Sequence, residues 1–137
     1  MDGVVSASPA AQAVALWVGL HLILLLVLAV LVVRQRQRHE VLIGDGGVPG
    51  LTQATRAFGN ATEYVPSSLV ALAVLAMAGA PSLLIHLLGL VMLIGRVAHA
   101  IGLSRSGGVS ALRTLGMVGT WLAYLAAAVS LLFYAIP

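Results

Sequence analysis

The sequence predicts an all-α integral membrane protein, a single domain built as a bundle of four transmembrane helices. Of its 137 residues, 61% are hydrophobic and 8% are charged, whereas a soluble domain carries about 25% charged residues. The mean hydropathy of +1.08 indicates that the bilayer is the solvent. Four membrane helices of about 20 residues each, the length that a helix needs to cross the hydrocarbon core, would use most of the chain. This composition excludes a soluble enzyme.

The first two predicted spans differ in character. The first covers residues 10–33, is apolar apart from Gln12 and His21, and stops at a cluster of arginines. A loop rich in glycine and proline follows it, which is typical of a turn. The second span covers residues 51–80. Its first three turns are polar, and it contains Pro66, which membrane helices tolerate.

The last two predicted spans carry few polar residues. The third covers residues 81–103 and the fourth covers residues 109–136. His21 and His86 are lone histidines in apolar segments, a setting that favours packing or hydrogen bonding between helices. The stretch of residues 116–128 is rich in glycine and alanine, which favours close helix packing. Cysteine is absent, and no spacing of His and carboxylate residues indicates a metal site.

All seven positively charged residues are arginines, and they are predicted to lie on one face of the membrane. Four spans put both termini on one side and the first and third loops on the other. The arginines lie in those loops or in the helical turns that approach them: Arg34, Arg36, Arg38, Arg56, Arg96, Arg105 and Arg113. The positive-inside rule assigns this face to the cytoplasm and both termini to the opposite side. The net charge of +3 therefore fits membrane topology better than a nucleic-acid-binding surface.

Polar residues inside the apolar segments form a predicted cluster. Arg56, Asn60 and Glu63 are spaced i, i+4, i+7 and share one helical face. Arg96 and His99 follow on the third span, and the fourth span opens with an arginine. A charged side chain near the middle of a bilayer costs about 2.5–3.5 kcal/mol. These groups must therefore face the bundle interior, a partner subunit or water.

The charges of this cluster do not balance. A structural ion pair of Glu63 with Arg56 or Arg96 is the simplest alternative to a binding site. Three arginines and one glutamate nevertheless leave a net charge near +2, and unpaired buried cations are costly. The sequence therefore predicts a cavity that faces the cytoplasm and attracts an anion. Guanidinium groups suit carboxylates because the planar fork binds both oxygens.

Three segments resemble the MAPEG family, the membrane-associated proteins in eicosanoid and glutathione metabolism, and in particular its short bacterial branch. Residues 56–66 are similar to the family's second-helix pattern Arg-x-x-x-Asn-x-x-Glu-Tyr/Phe-x-Pro. Residues 95–99, Gly-Arg-Val-Ala-His, resemble a segment of its third helix. The third match is Arg113, followed by Thr114, at the start of the fourth span.

The resemblance implies a homotrimer that binds glutathione between neighbouring subunits near the cytoplasmic side. By position, glutathione's carboxylates and amine would be held by residues of the second and third spans: Arg56, Asn60, Glu63, Tyr64, Arg96 and His99. Arg34 or Arg38, from the end of the first span, would reach across the subunit interface. Arg113 would stabilise the glutathione thiolate, with Thr114 beside it.

The activity that the resemblance implies is that of a membrane-bound transferase or peroxidase with glutathione as cosubstrate. A lipophilic electrophile would enter sideways from the membrane lipid and be attacked by the thiolate. The likeness to the bacterial branch implies the inner membrane as the location, with the site facing the cytoplasm.

Two other functions stay open at this point. Several family members carry a tyrosine four residues after the equivalent of His99, where this chain has Leu103. This departure favours the alternative of a non-catalytic member that binds a lipid or glutathione. A small four-span multidrug transporter is the other alternative, although such a protein needs an acidic cavity and Glu63 is outnumbered by arginines.

Overall fold

The computed structural model describes residues 7–105 and 108–136, which form four α-helices and, within those ranges, no strand. In chain order these helices are α1 Pro9–His39, α2 Pro49–Met77, α3 Ser82–Arg105 and α4 Ala111–Ala135. The predicted all-α four-helix fold is confirmed. Helices α1 and α4 lie on opposite sides of the bundle, and each packs against both α2 and α3.

Three of the helices, α1, α3 and α4, are long and apolar enough to cross a membrane by themselves. Helix α2 is not among them, because its first half carries the polar side chains that the sequence shows there. Several of these side chains are exposed in the single chain, including Thr55, Arg56, Thr62 and Glu63. Because exposed charges in lipid are costly, this half of α2 requires a cover other than lipid.

Helix α1 continues through the arginine cluster at which its span was predicted to stop. Its first residue is Pro9, whose ring fixes φ near the helical value. The Ser8 hydroxyl caps the helix by accepting a hydrogen bond from the backbone N–H of Ala11 at 3.2 Å. The helix ends at His39, and the next residue, Glu40, caps it with a left-handed backbone, φ of 55°. The Arg36 guanidinium donates to the carbonyl of Leu42 at 3.2 Å. Cations in the last turn also complement the negative end of the helix dipole.

The α3–α4 pair is brought together by glycines. A Cβ built on Gly116 would lie 2.5 Å from the carbonyl oxygen of Gly95 and 2.5 Å from the backbone nitrogen of His99. A Cβ on Gly102 would lie 2.5 Å from the backbone nitrogen of Arg113. The two backbones are therefore in direct contact at these levels, and the predicted close packing of the 116–128 stretch is confirmed at its first residue. This contact places His99 and Arg113 beside one another.

The buried core falls into two clusters along the bundle. One cluster surrounds Trp17, whose ring lies over Gly89 of α3 and meets the His86 ring edge-on at 6.1 Å. The other cluster lies toward the loops between α1 and α2 and between α3 and α4, and joins Leu28, Ala61 and other small or apolar residues. The small residues on α2 leave room beside this second cluster for the polar groups described next.

Candidate functional site

A cavity of about 720 Å³ opens between α2, α3 and α4 near the loop that precedes α2. This volume lies in the range of small-molecule sites, about 300–1,000 Å³. Six of the residues predicted from the sequence are in its wall: Arg56, Asn60, Glu63, His99, Arg113 and Thr114. The three segments that the sequence singled out therefore meet in one place.

Arg96 lies outside the cavity wall and is buried beneath it, with 1% of its surface exposed. Its Nη1 donates to the side-chain oxygen of Asn60 at 2.6 Å, and its Nε donates to the Thr120 hydroxyl at 2.9 Å. A weaker contact runs from Nη2 to the sulfur of Met117 at 3.4 Å. The guanidinium carbon lies 4.9 Å from the centre of the Tyr64 ring, which is a favourable cation–π distance. Arg96 therefore orients cavity residues, and all of these partners are neutral.

Asn60 links this buried arginine to the cavity. Its amide nitrogen donates to the Glu63 carboxylate at 3.5 Å, while its oxygen accepts from Arg96. Within the described ranges, Glu63 forms no ion pair with Arg56 or Arg96. The structural ion pair considered as an alternative is thus absent from the single chain, and the Glu63 carboxylate stays available to the cavity.

Tyr64 belongs to a polar and aromatic layer between α2 and α4. Its ring meets the Tyr124 ring edge-on at 5.6 Å, and the Tyr124 hydroxyl donates to the Tyr64 carbonyl at 2.6 Å. The Tyr124 hydroxyl also contacts the Ser67 hydroxyl. The indole N–H of Trp121 donates to the Tyr64 hydroxyl at 3.5 Å. This layer fixes α4 against the polar face of α2. Of its residues, Trp121 is in the cavity wall, and Tyr64 is not.

Arg113 is held at the cavity by the start of α4. The Ser110 hydroxyl accepts from the Arg113 backbone N–H at 3.3 Å and lies 3.3 Å from the Gly102 carbonyl, to which it donates. A cation in the first turn of a helix interacts unfavourably with the helix dipole. Arg113 therefore does not stabilise α4 by its charge. The positive helix end and the guanidinium together make this end of the cavity strongly attractive to an anion.

Asp45 is a cavity residue that the sequence interpretation missed. It lies in the loop before α2, where its carboxylate accepts from the backbone N–H of Gly47 at 3.1 Å and from the Thr52 hydroxyl at 2.9 Å. These hydrogen bonds hold the pKa of Asp45 below its ordinary value of 3.8, so it is anionic at neutral pH. The Asp-Gly-Gly sequence, which is typical of a turn closed by the Asp side chain, was the available signal.

Asp45 corrects the charge balance inferred from the sequence. Two arginines, Arg56 and Arg113, and two acids, Asp45 and Glu63, are in the wall, so the wall itself is balanced. The remaining positive charge belongs to Arg96 below it. The predicted surplus near +2 is therefore too high by one charge, because the sequence does not show that this loop folds back over the cavity.

The remaining cavity residues are mostly apolar, and α2 and α4 supply most of them. They are Leu103, Val109, Met117, Val118 and Trp121, together with Thr52, Thr55 and Gly59. Arg34 and Arg38 are exposed on α1 and are not in the wall, to which α1 of the same chain contributes no described residue. Within the described part of the chain, no group of three His, Cys, Asp or Glu residues could hold a metal ion.

Replacing Thr120 with valine is expected to destabilise the protein, because Arg96 would lose one hydrogen-bond acceptor in a buried place. Thr120 is fully buried, and an unsatisfied buried donor costs about 1–3 kcal/mol. Unfolding followed in micelles by circular dichroism measures the change in free energy. The exposed Thr114→Val substitution in the same helix is the matched control and should change stability by less than about 0.5 kcal/mol. Equal effects of the two substitutions would contradict the role given to Arg96.

Comparisons with known proteins agree with this architecture. A sequence model of the MAPEG family matches residues 14–133. The chain is 37% identical over 120 residues to a protein named inner membrane protein YecN from Escherichia coli strain K12, covering 88% of this chain and 90% of that protein. The protein of the same name from Escherichia coli O6:H1 gives the same values. Together with the four helices and the clustered motif residues, these matches show that the chain is an integral membrane protein that belongs to the MAPEG family.

Proposed function

We propose that this protein is a membrane-bound glutathione-dependent transferase or peroxidase that acts on lipophilic electrophiles through an arginine-stabilised thiolate. The observation that carries the proposal is the 720 Å³ cavity in which Arg56 and Arg113 share one wall with His99, Asn60 and Glu63. Membership of the family supports the choice of thiol, since the resemblance implies glutathione.

The charges of the cavity suit this tripeptide. Glutathione has two carboxylates and one ammonium group, and its thiolate form carries a net charge of two negative units. Arg56 and Arg113 offer guanidinium groups to the anionic groups, and Asp45 and Glu63 offer carboxylates to the ammonium. A ligand with both signs of charge fits a wall with both signs better than a simple anion does.

The energy needed to form the thiolate is within reach of one arginine. A thiol with a pKa near 8.5 is mostly protonated at neutral pH, and lowering that pKa by two units requires about 2.7 kcal/mol. A unit charge at ~4 Å supplies roughly 4 kcal/mol at an effective dielectric constant of ~20. Arg113, at the positive end of α4, can therefore provide the stabilisation without a separate general base.

The apolar part of the wall supports a lipophilic second substrate. Val109, Val118 and Trp121 are in the cavity wall and are exposed in the single chain. A molecule dissolved in the bilayer can therefore approach the thiolate sideways along α4. Attack at the boundary of protein and lipid removes the need for the substrate to enter water.

The exposed polar half of α2 supports a homotrimer. A second copy would cover Arg56 and Glu63 and close the cavity on its open side. The Arg34 or Arg38 side chain that completes the site would then come from the neighbouring subunit. We propose the bacterial inner membrane as the location, with both termini outside and the cavity facing the cytoplasm, as the arginine distribution predicts.

A binding-only function is the second candidate, and Leu103 favours it. Leu103 is in the cavity wall, 7% exposed, where several family members have a tyrosine. An aliphatic side chain at this position cannot donate a hydrogen bond to a ligand. The protein would then hold glutathione or a lipid without turning it over.

Purified protein supplied with glutathione and either 1-chloro-2,4-dinitrobenzene or a lipid hydroperoxide distinguishes these functions. We expect a glutathione conjugate or a reduced lipid, measured by absorbance or mass spectrometry, at a rate above that of the same mixture without protein. Glutathione that binds in calorimetry without any product would establish the binding-only function. Absence of both binding and product would refute the glutathione proposal.

A further inference from the structure

A second, smaller cavity lies deeper in the bundle, beyond the Tyr64–Tyr124 layer. Its volume is about 140 Å³, and all four helices contribute to its wall. Most wall residues are apolar, and they come from α2, α3 and α4: Ala71, Leu72, Leu88, Met92, Ala123, Ala127, Ala128 and Leu131. Its position separates it from the arginines of the larger cavity.

His21 is the residue of α1 in this wall and is completely buried. Its Nδ1 lies 2.7 Å from the carbonyl oxygen of Trp17, and a carbonyl can only accept, so Nδ1 carries the proton. In the neutral ring Nε2 then has a free lone pair. Nε2 has no hydrogen-bond partner among the described residues. A buried acceptor without a partner is costly, which indicates that a donor from outside the chain belongs here.

The other polar side chains of this wall are already engaged. The Ser68 hydroxyl donates to the Tyr64 carbonyl at 2.9 Å, and the Ser67 hydroxyl contacts the Tyr124 hydroxyl. These hydroxyl groups already take part in hydrogen bonds within the chain, whereas Nε2 of His21 is the buried acceptor of this wall that has no hydrogen bond among the described residues. An occupant needs one hydrogen-bond donor and an otherwise apolar body.

The volume of this second cavity and the direction in which it opens limit the kind of molecule that it can bind. An apolar cavity of about 150 Å³ stays dry and takes up benzene, so this one holds one aromatic ring or a short aliphatic chain. Ser67 and Ala128 belong to the wall and are exposed between α2 and α4. The cavity therefore opens sideways, toward the lipid rather than toward either aqueous face.

We propose that this cavity is a binding site for a small uncharged lipophile that carries a hydroxyl group, whose proton is donated to Nε2 of His21. Phenol and toluene form a suitable pair of probes, because they have nearly the same shape and differ in the donor. Phenol at equal micellar concentration should bind about tenfold more tightly than toluene, which is the factor that one hydrogen bond contributes.

Nitrogen-15 NMR of protein labelled at histidine in micelles tests the proposal directly. The His21→Leu substitution identifies the His21 signals, since it removes them from the spectrum. Phenol is expected to move the Nε2 resonance from that of a free lone pair to that of a hydrogen-bonded one, and toluene is expected not to. The phenol preference in thermal stabilisation should disappear in His21→Leu, and the Ala127→Leu substitution, which fills the cavity, should abolish the response to both probes.

Two results would overturn the proposal. An Nε2 that is already hydrogen-bonded before any probe is added would show that water occupies the cavity. A resonance that phenol leaves unmoved would show that the ring does not serve a ligand. Both readings come from the spectrum of the unsubstituted protein, in which His21→Leu serves only to assign the signals, and neither needs the Ala127→Leu variant.

Discussion

The Arg113→Ala substitution is expected to lower the rate of glutathione conjugation by about 100- to 1,000-fold while the protein still folds and assembles. Removal of one group that stabilises a developing anion costs enzymes about 2.7–4 kcal/mol, and Arg113 is the cavity arginine at the positive end of α4. Its side chain is partly exposed, and the contacts that hold the start of α4 are made by its backbone. Loss of the side chain therefore removes charge without opening the bundle.

The measurement is kcat/KM for glutathione as a function of pH, with the oligomeric state followed by size-exclusion chromatography. Thiolate formation in the variant should need a higher pH, so its rate should rise with pH over a range in which the unsubstituted enzyme is already constant. Arg105→Ala is the matched control, because Arg105 is exposed beside the same loop and is not in the cavity wall. Full activity of Arg113→Ala, or an equal loss in Arg105→Ala, would contradict the thiolate mechanism.

Replacing Gly116 with alanine is expected to damage both the fold and the cavity. The added methyl group would lie 2.5 Å from backbone atoms of both Gly95 and His99, neither of which can move without shifting α3. Overpacking of this kind costs about 1–3 kcal/mol. The shift would also move His99 and Arg113 relative to one another, so activity should fall together with stability.

Gly119→Ala provides the control in the same helix. A Cβ at that position would lie 3.9 Å from the Cα of Gly95, an ordinary van der Waals distance. We therefore expect little change in the thermal unfolding temperature of Gly119→Ala and a clear decrease for Gly116→Ala, measured by circular dichroism in the same micelles. Similar behaviour of the two variants would show that α3 and α4 do not touch through Gly116.

The fold was predictable because the bilayer leaves few structures open to an apolar chain. A chain with four apolar segments and turn residues between them can satisfy its backbone hydrogen bonds in lipid only as helices or as a closed barrel, and the segment lengths favour helices. The ends of the elements were less predictable. The arginines within residues 34–38 predict where the chain leaves the hydrocarbon. They do not predict where the helix ends, because charged residues do not terminate a helix, and α1 continues to His39.

The candidate site was predictable where residues share one helix. Arg56, Asn60 and Glu63 follow helical spacing, and they do lie together in one wall. Sequence spacing could not show that Arg96 points inward and is buried among Asn60, Thr120 and Met117, because that depends on how α3 rotates against α2 and α4. Asp45 reaches the cavity because its loop folds back, which depends on glycines with a left-handed backbone conformation, such as Gly46 and Gly47. The sequence did not predict this position of Asp45 either.

The burial of Arg96 among neutral partners has a consequence for the behaviour of the cavity in salt. Dissolved ions reduce the field of charges that water can reach, over a distance of about 8 Å at physiological ionic strength. They cannot gather around a guanidinium with 1% of its surface exposed. Arg96 therefore keeps an unscreened positive charge beneath the cavity wall. Part of the attraction for anions should persist at high salt concentration, at which the contributions of Arg56 and Arg113 in the wall are screened.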